Sequence, residues 1–226
     1  VSKSLSPKQK YDDLIKRLEK FDLNLSRAIK AKQILKTADN DKYIKSLDNT
    51  YEAHTCSFLL SSARNELILG LRRNLEEGKS DRCSFRRLIK IRTCQNLDDY
   101  IRKNIFDLKK LEPIPDSKYK DIKSFKEQYL LFEQRNKDLI NDLGIFRNFH
   151  IAHSQANPEL ADFAKERIIF SEMFKLLDEL CALFEDFTRL VKIGCWDNTS
   201  KNNVDKKHSD LFWKSICEGI DLKKTK

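Results

Sequence analysis

Between Phe170 and Ile193 the chain places apolar groups at Met173, Phe174, Leu177, Leu180, Cys181, Phe184, Phe187, Leu190 and Val191. Steps of three and four residues put these side chains on one stripe of an α-helix, whereas a strand would scatter them over both faces. A stripe of this kind must be buried against other elements, and helices elsewhere in the chain are the natural partners. Only 5 of the 226 residues are glycine and 4 are proline. A β-sandwich or barrel consumes more of both in its turns. The same scarcity argues against low-complexity disorder and against a glycine-rich loop that cradles phosphate. The expected class is therefore all-α.

The pattern recurs upstream. Residues 7–37 carry Tyr11, Leu14, Ile15, Leu18, Phe21, Leu25, Ala28 and Ile29 at helical steps, and Ser6-Pro7 supplies a cap followed by proline at the first helical position. Residues 41–76 read as one long helix. Its centre, Phe58–Ala63, suits close helix packing, and its end falls near Glu77-Gly78. Ser84 is placed to cap a short helix bearing Phe85, Leu88, Ile89 and Ile91. Asn96 is placed to cap another that runs through Tyr100, Ile101, Ile105, Phe106 and Leu108 to about Leu111. Glu112-Pro-Ile-Pro115-Asp-Ser117 breaks the chain as a loop within a domain. A further helix is predicted from about Lys118 through Phe125, Tyr129, Leu130, Phe132, Leu139 and Ile140; its course past Gly144 stays open, and Asn157-Pro158 marks the next boundary.

Beyond Trp196 the composition turns polar. Residues 197–210 read as a linker or loose loop, followed by an apolar island, Asp210–Cys217, suited to one docking helix. The expected architecture is an up-and-down bundle of four to five main helices with short extra helices. Residues 1–195 form the bundle, with the helix or helices of 7–37 packed on a core of 40–193. Residues 196–226 form a polar linker plus a short C-terminal docking segment.

Lys and Arg total 44 against 35 Asp and Glu, a net charge of +9. Such a balance favours polyanionic partners, nucleic acid or anionic membrane, although its even spread along the chain also fits a solvated basic surface. The six cysteines form no C-x-x-C pair and no repeated spacing, as expected of thiols in a reducing compartment. Cys56 and Cys181 read as core residues. No stretch approaches the 18 or so apolar residues of a membrane span, and the first residues carry no apolar signal core. A soluble cytoplasmic protein without membrane contact is expected.

One cluster carries chemistry: Arg147-Asn-Phe-His150-Ile-Ala-His153-Ser154. At about 100° per residue, a helix would gather Arg147, His150, His153 and Ser154 within an arc of roughly 120°. Arginine clamps phosphate oxygens and stabilises charge that develops on phosphorus. Histidine takes and returns a proton near neutral pH. Attack of an RNA 2′-OH on the adjacent phosphate needs both functions and no metal. Two capping or surface histidines beside a salt-bridging arginine would give the same letters.

The order of these residues resembles the signature of the HEPN superfamily: Arg147, the polar Asn148, then His153. The run is similar to that of the abortive-infection AbiU-type branch in particular. So is the stretch Glu66-Leu-Ile-Leu-Gly-Leu-Arg-Arg73-Asn-Leu-Glu-Glu77 followed by Ser84-Phe-x-x-Leu88. The resemblance covers about residues 40–193. It implies a helical bundle that dimerises and joins two Arg…His motifs in a cleft. It also implies a metal-independent endoribonuclease of phage defence or a toxin, without cofactor. Carried over, Arg147 contacts the scissile phosphate, His153 is the general acid/base or positions the 2′-OH, and Asn148 orients the site. The candidate catalytic residues are thus Arg147, His153 and Asn148. Arg73 is a candidate substrate contact from its place in the resemblance, and His150 and Ser154 are candidates from helical spacing alone.

Two other readings stand beside the enzyme: a non-catalytic module that binds RNA or a partner protein through the same face, and a toxin neutralised by a companion antitoxin. Among the remaining features, His54 and Cys56 lie on different faces of a helix, so metal ligation is not expected there. Arg72-Arg73 and Arg86-Arg87 read as solvated helix ends, with Arg73 the exception noted above. Lys109-Lys110 and Lys223-Lys224 read as ordinary surface. Trp196 and Trp213 are expected to anchor the C-terminal segment on the bundle.

Overall fold

The computed structural model describes residues 5–39, 41–47, 50, 52–76, 83–104, 121–148, 169–191 and 198–224. All the regular elements among them are helical: α1 (Pro7–Ala38), α2 (Asp41–Leu47), α3 (Glu52–Leu75), α4 (Phe85–Arg92), α5 (Gln95–Asn104), α6 (Ile122–Arg135), α7 (Lys137–Phe146), α8 (Phe170–Val191) and α9 (Asn198–Lys224). The fold is all-α, as the periodicity requires.

Helix α1 is the strut of the bundle. It starts at a capping box: the Ser6 hydroxyl accepts from the backbone N–H of Gln9 while the Gln9 side chain accepts from the N–H of Ser6, and Pro7 fills the first helical position. Its apolar stripe, Leu14, Leu18, Phe21, Leu25, Ala28 and Ile29, is buried. Around it pack α3, α4, α5, α8 and α9. Helices α1 and α3 run antiparallel, and the closest approach falls at Gly70. A methyl group there would lie 2.8 Å from the Ala28 Cβ and 3.1 Å from the Asn24 carbonyl oxygen. Hydrogen in place of a side chain lets the two backbones touch.

The centre of the core is aromatic. Phe21 of α1 stacks on Phe184 of α8 at 4.7 Å between ring centroids and meets Phe85 of α4 at 5.0 Å. Phe85 in turn contacts Phe125 and Tyr129 of α6 and Phe187 of α8. These rings, and the neighbouring Phe132, are all fully buried. Tilted and offset pairs of this kind add to the burial of their large apolar area.

Four sequence expectations change. Residues 41–76 are not one helix. The chain turns at Thr50, whose N–H and hydroxyl both donate to the Leu47 carbonyl at 3.1 and 2.7 Å, so a short polar side chain competes for the bond that would continue the helix. The helix expected from about Lys118 begins at the Asp121 capping box and divides at Asn136, where φ −102° and ψ 12° leave helical geometry. The Asn136 side chain donates to the Phe132 carbonyl at 2.9 Å. The small apolar run Phe58–Ala63 does not mediate the tightest packing: Phe58 is 71% exposed, and the close contact lies further along at Gly70.

The fourth change is the largest. Residues 198–210, read as part of a linker, belong to α9. Ser209, Trp213, Cys217 and Ile220 are buried at helical steps along that helix. The Ser209 hydroxyl donates to the Gln33 carbonyl at 3.2 Å, and the Trp213 indole N–H donates to the Ile34 carbonyl at 3.3 Å. Packing of one face on α1 carries the helix through its polar half. Trp213 anchors the segment as expected; Trp196 lies outside the described residues. So do residues 105–120, with the Pro113-Pro115 breaker and Lys109-Lys110, and Gly78 and Asn157-Pro158. Cys56, Cys83, Cys181 and Cys217 are buried free thiols, and burial pushes those of Cys56 and Cys83 up from the usual range. No helix among the described residues is long and apolar enough to cross a membrane.

Candidate functional site

Helices α3 and α7 meet along a seam that differs from the core. On α3, Arg64, Arg72 and Glu76 fall on one side of the helix at steps of eight and four. On α7, Gly144, Phe146 and Arg147 face them. The α7 helix passes through Gly144 without a break and closes in a π-turn at Arg147 and Asn148, with the Arg147 N–H donating to the carbonyls of Gly144 and Leu143. A widened last turn re-aims the side chains it carries.

Arg147 reaches back across the seam. Its Nη2 donates to Glu76 Oε1 at 2.8 Å. The same carboxylate oxygen pairs with Arg72 Nη2 at 3.2 Å, an i,i+4 pair on α3. Arg72 is held at its other nitrogen as well, Nη1 donating to the Ile140 carbonyl of α7 at 3.0 Å. Its guanidinium lies flat against Gly144. A methyl group at that glycine would stand 3.0 Å from Arg72 Cζ and Nη2. Arg64, two turns earlier, places its guanidinium carbon 5.3 Å from the centroid of the buried Phe146 ring, a cation–π contact.

The three side chains of the Arg72–Glu76–Arg147 cluster are only 13%, 19% and 23% exposed. Ion pairs with little water around them are held in one geometry more firmly than surface pairs, at a cost in desolvation. The same end of α3 buries Asn74 completely, and neither polar atom of its side chain has a hydrogen-bond partner among the described residues. Burying such groups costs roughly 1–3 kcal/mol each. A seam that only joined two helices would gain more stability from apolar groups than from this ion-pair cluster, which makes the cluster a candidate for chemistry.

Of the residues singled out in the sequence, Arg147 and Asn148 sit at this seam, Arg147 in the ion-pair cluster and Asn148 exposed on the π-turn. His150, His153 and Ser154 lie outside the described residues. Arg73 is 45% exposed and pairs with Glu66 at 3.8 Å, a quarter-turn or more around α3 from Arg72. The structure brings Arg72 rather than Arg73 to Arg147. Arg72, which the sequence reads as a solvated helix end, is instead only 13% exposed and paired with Glu76, because α7 packs over it at Gly144. The one local signal is a glycine three residues before Arg147 in an otherwise helical run, since Arg73 and Glu77 share the four-residue spacing of Arg72 and Glu76. Arg86 pairs with Glu133 at 2.7 Å, and His54 is exposed while Cys56 is buried, on different faces as expected.

Among known protein families, the model for AbiU2, a HEPN family, fits residues 11–208. The fit takes in α1 from Tyr11 and part of α9, wider on both sides than the 40–193 expected from the motifs. No curated protein and no solved structure matches the chain at a significant level.

Proposed function

The chain belongs to the AbiU2 family of HEPN proteins, an abortive-infection family, and on that premise we propose that it is a metal-independent endoribonuclease of phage defence or a toxin. The observation that carries the reading is the position of Arg147. The first residue of the Arg…His run sits at the end of α7, fixed by Glu76 beside a second guanidinium, at a partly buried seam.

In the proposed reaction the 2′-oxygen of one ribose attacks the adjacent phosphorus. The P–O5′ bond breaks, leaving a 2′,3′-cyclic phosphate and a 5′-hydroxyl. His153 takes the 2′-OH proton and returns it to the departing O5′, or it holds that hydroxyl for attack while water takes the 2′-OH proton and supplies one to O5′. Arg147 stabilises the charge that builds on the non-bridging oxygens. Asn148, exposed beside it, orients the substrate. His150, Ser154 and Arg73 are further proposed contacts. RNA is the substrate because DNA lacks the attacking hydroxyl. A homodimer that sets two such motifs in one cleft, and an antitoxin or other defence partner that restrains it, belong to the same proposal.

Incubation of the purified protein with total RNA in EDTA, beside His153→Ala and Arg147→Ala, tests this. Cleavage by the wild type is expected, with each variant slowed by about 10²–10³-fold, the usual size for removing one transition-state interaction, and with melting temperature held near that of the wild type. A requirement for divalent metal, or equal cleavage by wild type and His153→Ala, would sink the mechanism.

A further inference from the structure

We propose that Arg72 is a second phosphate-binding guanidinium of this site, and that Glu76 holds it beside Arg147 and yields its place to a phosphate oxygen of RNA. The inference rests on the ribonuclease reading above and adds to it a residue outside the Arg…His signature.

The geometry is specific. Glu76 Oε1 lies 2.8 Å from Arg147 Nη2 and 3.2 Å from Arg72 Nη2. One oxygen acceptor therefore touches both guanidiniums, which come from different helices. A non-bridging phosphate oxygen has the same demand for charged N–H donors as a carboxylate oxygen and fits where Oε1 stands. Glu76 retains 19% side-chain exposure, so solvent and ligand reach it.

Arg72 is also prepared for the task. Its Nη1 bond to the Ile140 carbonyl and its seat on Gly144 fix the plane of the guanidinium before any ligand arrives. Pre-set arginines lose little rotamer freedom on binding. Neither neighbour offers this. Arg73 is nearly half exposed and loosely paired at 3.8 Å, and Arg64 is committed to the face of Phe146. Glu76 has two jobs in this scheme. It keeps two like charges at a spacing suited to one phosphate, and it competes with that phosphate. RNA that cannot displace the carboxylate is excluded.

The test is binding of a fluorescein-labelled single-stranded RNA, 2′-O-methylated so that it cannot be cleaved, to the full chain in EDTA over a range of KCl concentrations. Wild type, Arg147→Ala, Arg72→Ala, Arg72→Lys and Glu76→Gln are compared, each with its thermal melt. Arg147→Ala and Arg72→Ala are each expected to weaken binding by about tenfold. Each should flatten the plot of log K against log salt by about 0.7, the slope that one neutralised phosphate contributes on a single strand. Arg72→Lys should restore the slope while recovering part of the affinity, and Glu76→Gln should tighten binding severalfold. Wild-type slope and affinity in Arg72→Ala, with Arg147→Ala impaired, would overturn this inference and leave the ribonuclease reading standing. So would a loss in Arg72→Ala that follows its melting temperature with no change of slope, since that is the mark of a structural brace. Weaker binding by Glu76→Gln would remove the displacement step. Failure of the wild type to bind would take down both readings together.

Discussion

Helix α3 packs on α1 and on α7, and a glycine lies in each of these two seams. Toward α1, Gly70 meets the Ala28 Cβ at 2.8 Å and the Asn24 carbonyl oxygen at 3.1 Å. Its neighbours Leu67, Ile68 and Leu71 are completely buried. Toward α7, Gly144 meets only the end of a flexible side chain, the Arg72 guanidinium at 3.0 Å. The first seam is held mainly by shape, backbone against backbone at Gly70, with the Glu66 carboxylate one turn away. The second is held by ion pairs around Glu76 and carries Arg147, the first residue of the Arg…His run, at its end. A core seam gains stability from close fit, whereas a polar seam gives up some of it to keep charged groups aimed in fixed directions. The contrast sets α3–α7 apart as the seam whose ion pairs carry a desolvation cost.

The comparison can be broken most severely from the apolar side. Trp213 is fully buried, and its N–H is bonded to α1. Trp213→Ala is expected to cost about 3–5 kcal/mol of stability, read as a lower urea midpoint. If α9 only supports the bundle, RNA cleavage per folded molecule stays at the wild-type level. Gly70→Ala comes next. Its new methyl group meets the backbone of a neighbouring helix, which cannot swing aside, so a loss of about 1–3 kcal/mol is expected by the same measurement. Cleavage by the folded fraction should again be unchanged.

Gly144→Ala is the matched counterpart. The group in its way is the flexible end of Arg72, and alanine favours the helix by up to about 1 kcal/mol. Shifting Arg72 weakens its bonds to Ile140 and Glu76, so a net stability loss smaller than at Gly70 is expected, while RNA affinity falls severalfold. Equal stability losses at Gly70 and Gly144 would erase the distinction between the seams. The smallest effect lies away from both. The Ser124 backbone N–H, donating to the Asp121 carboxylate, holds it below its usual range. That cap contributes in full above the unfolded carboxylate's pKa and fades as pH falls through the lower folded value, below about pH 4. Asp121→Asn should therefore match the wild type at pH 7 and lose slightly less stability than it between pH 4 and pH 3. This sets the floor against which the two seams are compared.

Much of the fold could be read from residue order because helix formation and termination are local. The α8 stripe, the Ser6-Pro7 start of α1 and the Ser84 position before α4 all follow from side chains within a few residues of one another. Thr50 and Asn136 were less legible. Each interrupts a pattern whose apolar spacing continues on both sides, and each does so through a single side-chain bond to a nearby carbonyl. The start of α9 was misread because polar composition was taken for looseness. Its buried face there depends on Ser209, a residue that hydropathy does not mark.

The candidate site divides in the same way. Arg147, Asn148 and His153 are neighbours in the chain, so their order alone was enough to point to a HEPN family and to one kind of chemistry. Arg72 and Glu76 are about seventy residues from Arg147, and nothing in their local pattern separates Arg72 from Arg73. The sequence by itself determined the all-α class, the apolar stripes of α1, α4 and α8, and the family, because these rest on periodicity and on short ordered motifs. Tertiary structure alone decided that Arg72 and Glu76 lie beside Arg147, because only the packing of α3 on α7 brings two guanidiniums to one carboxylate oxygen.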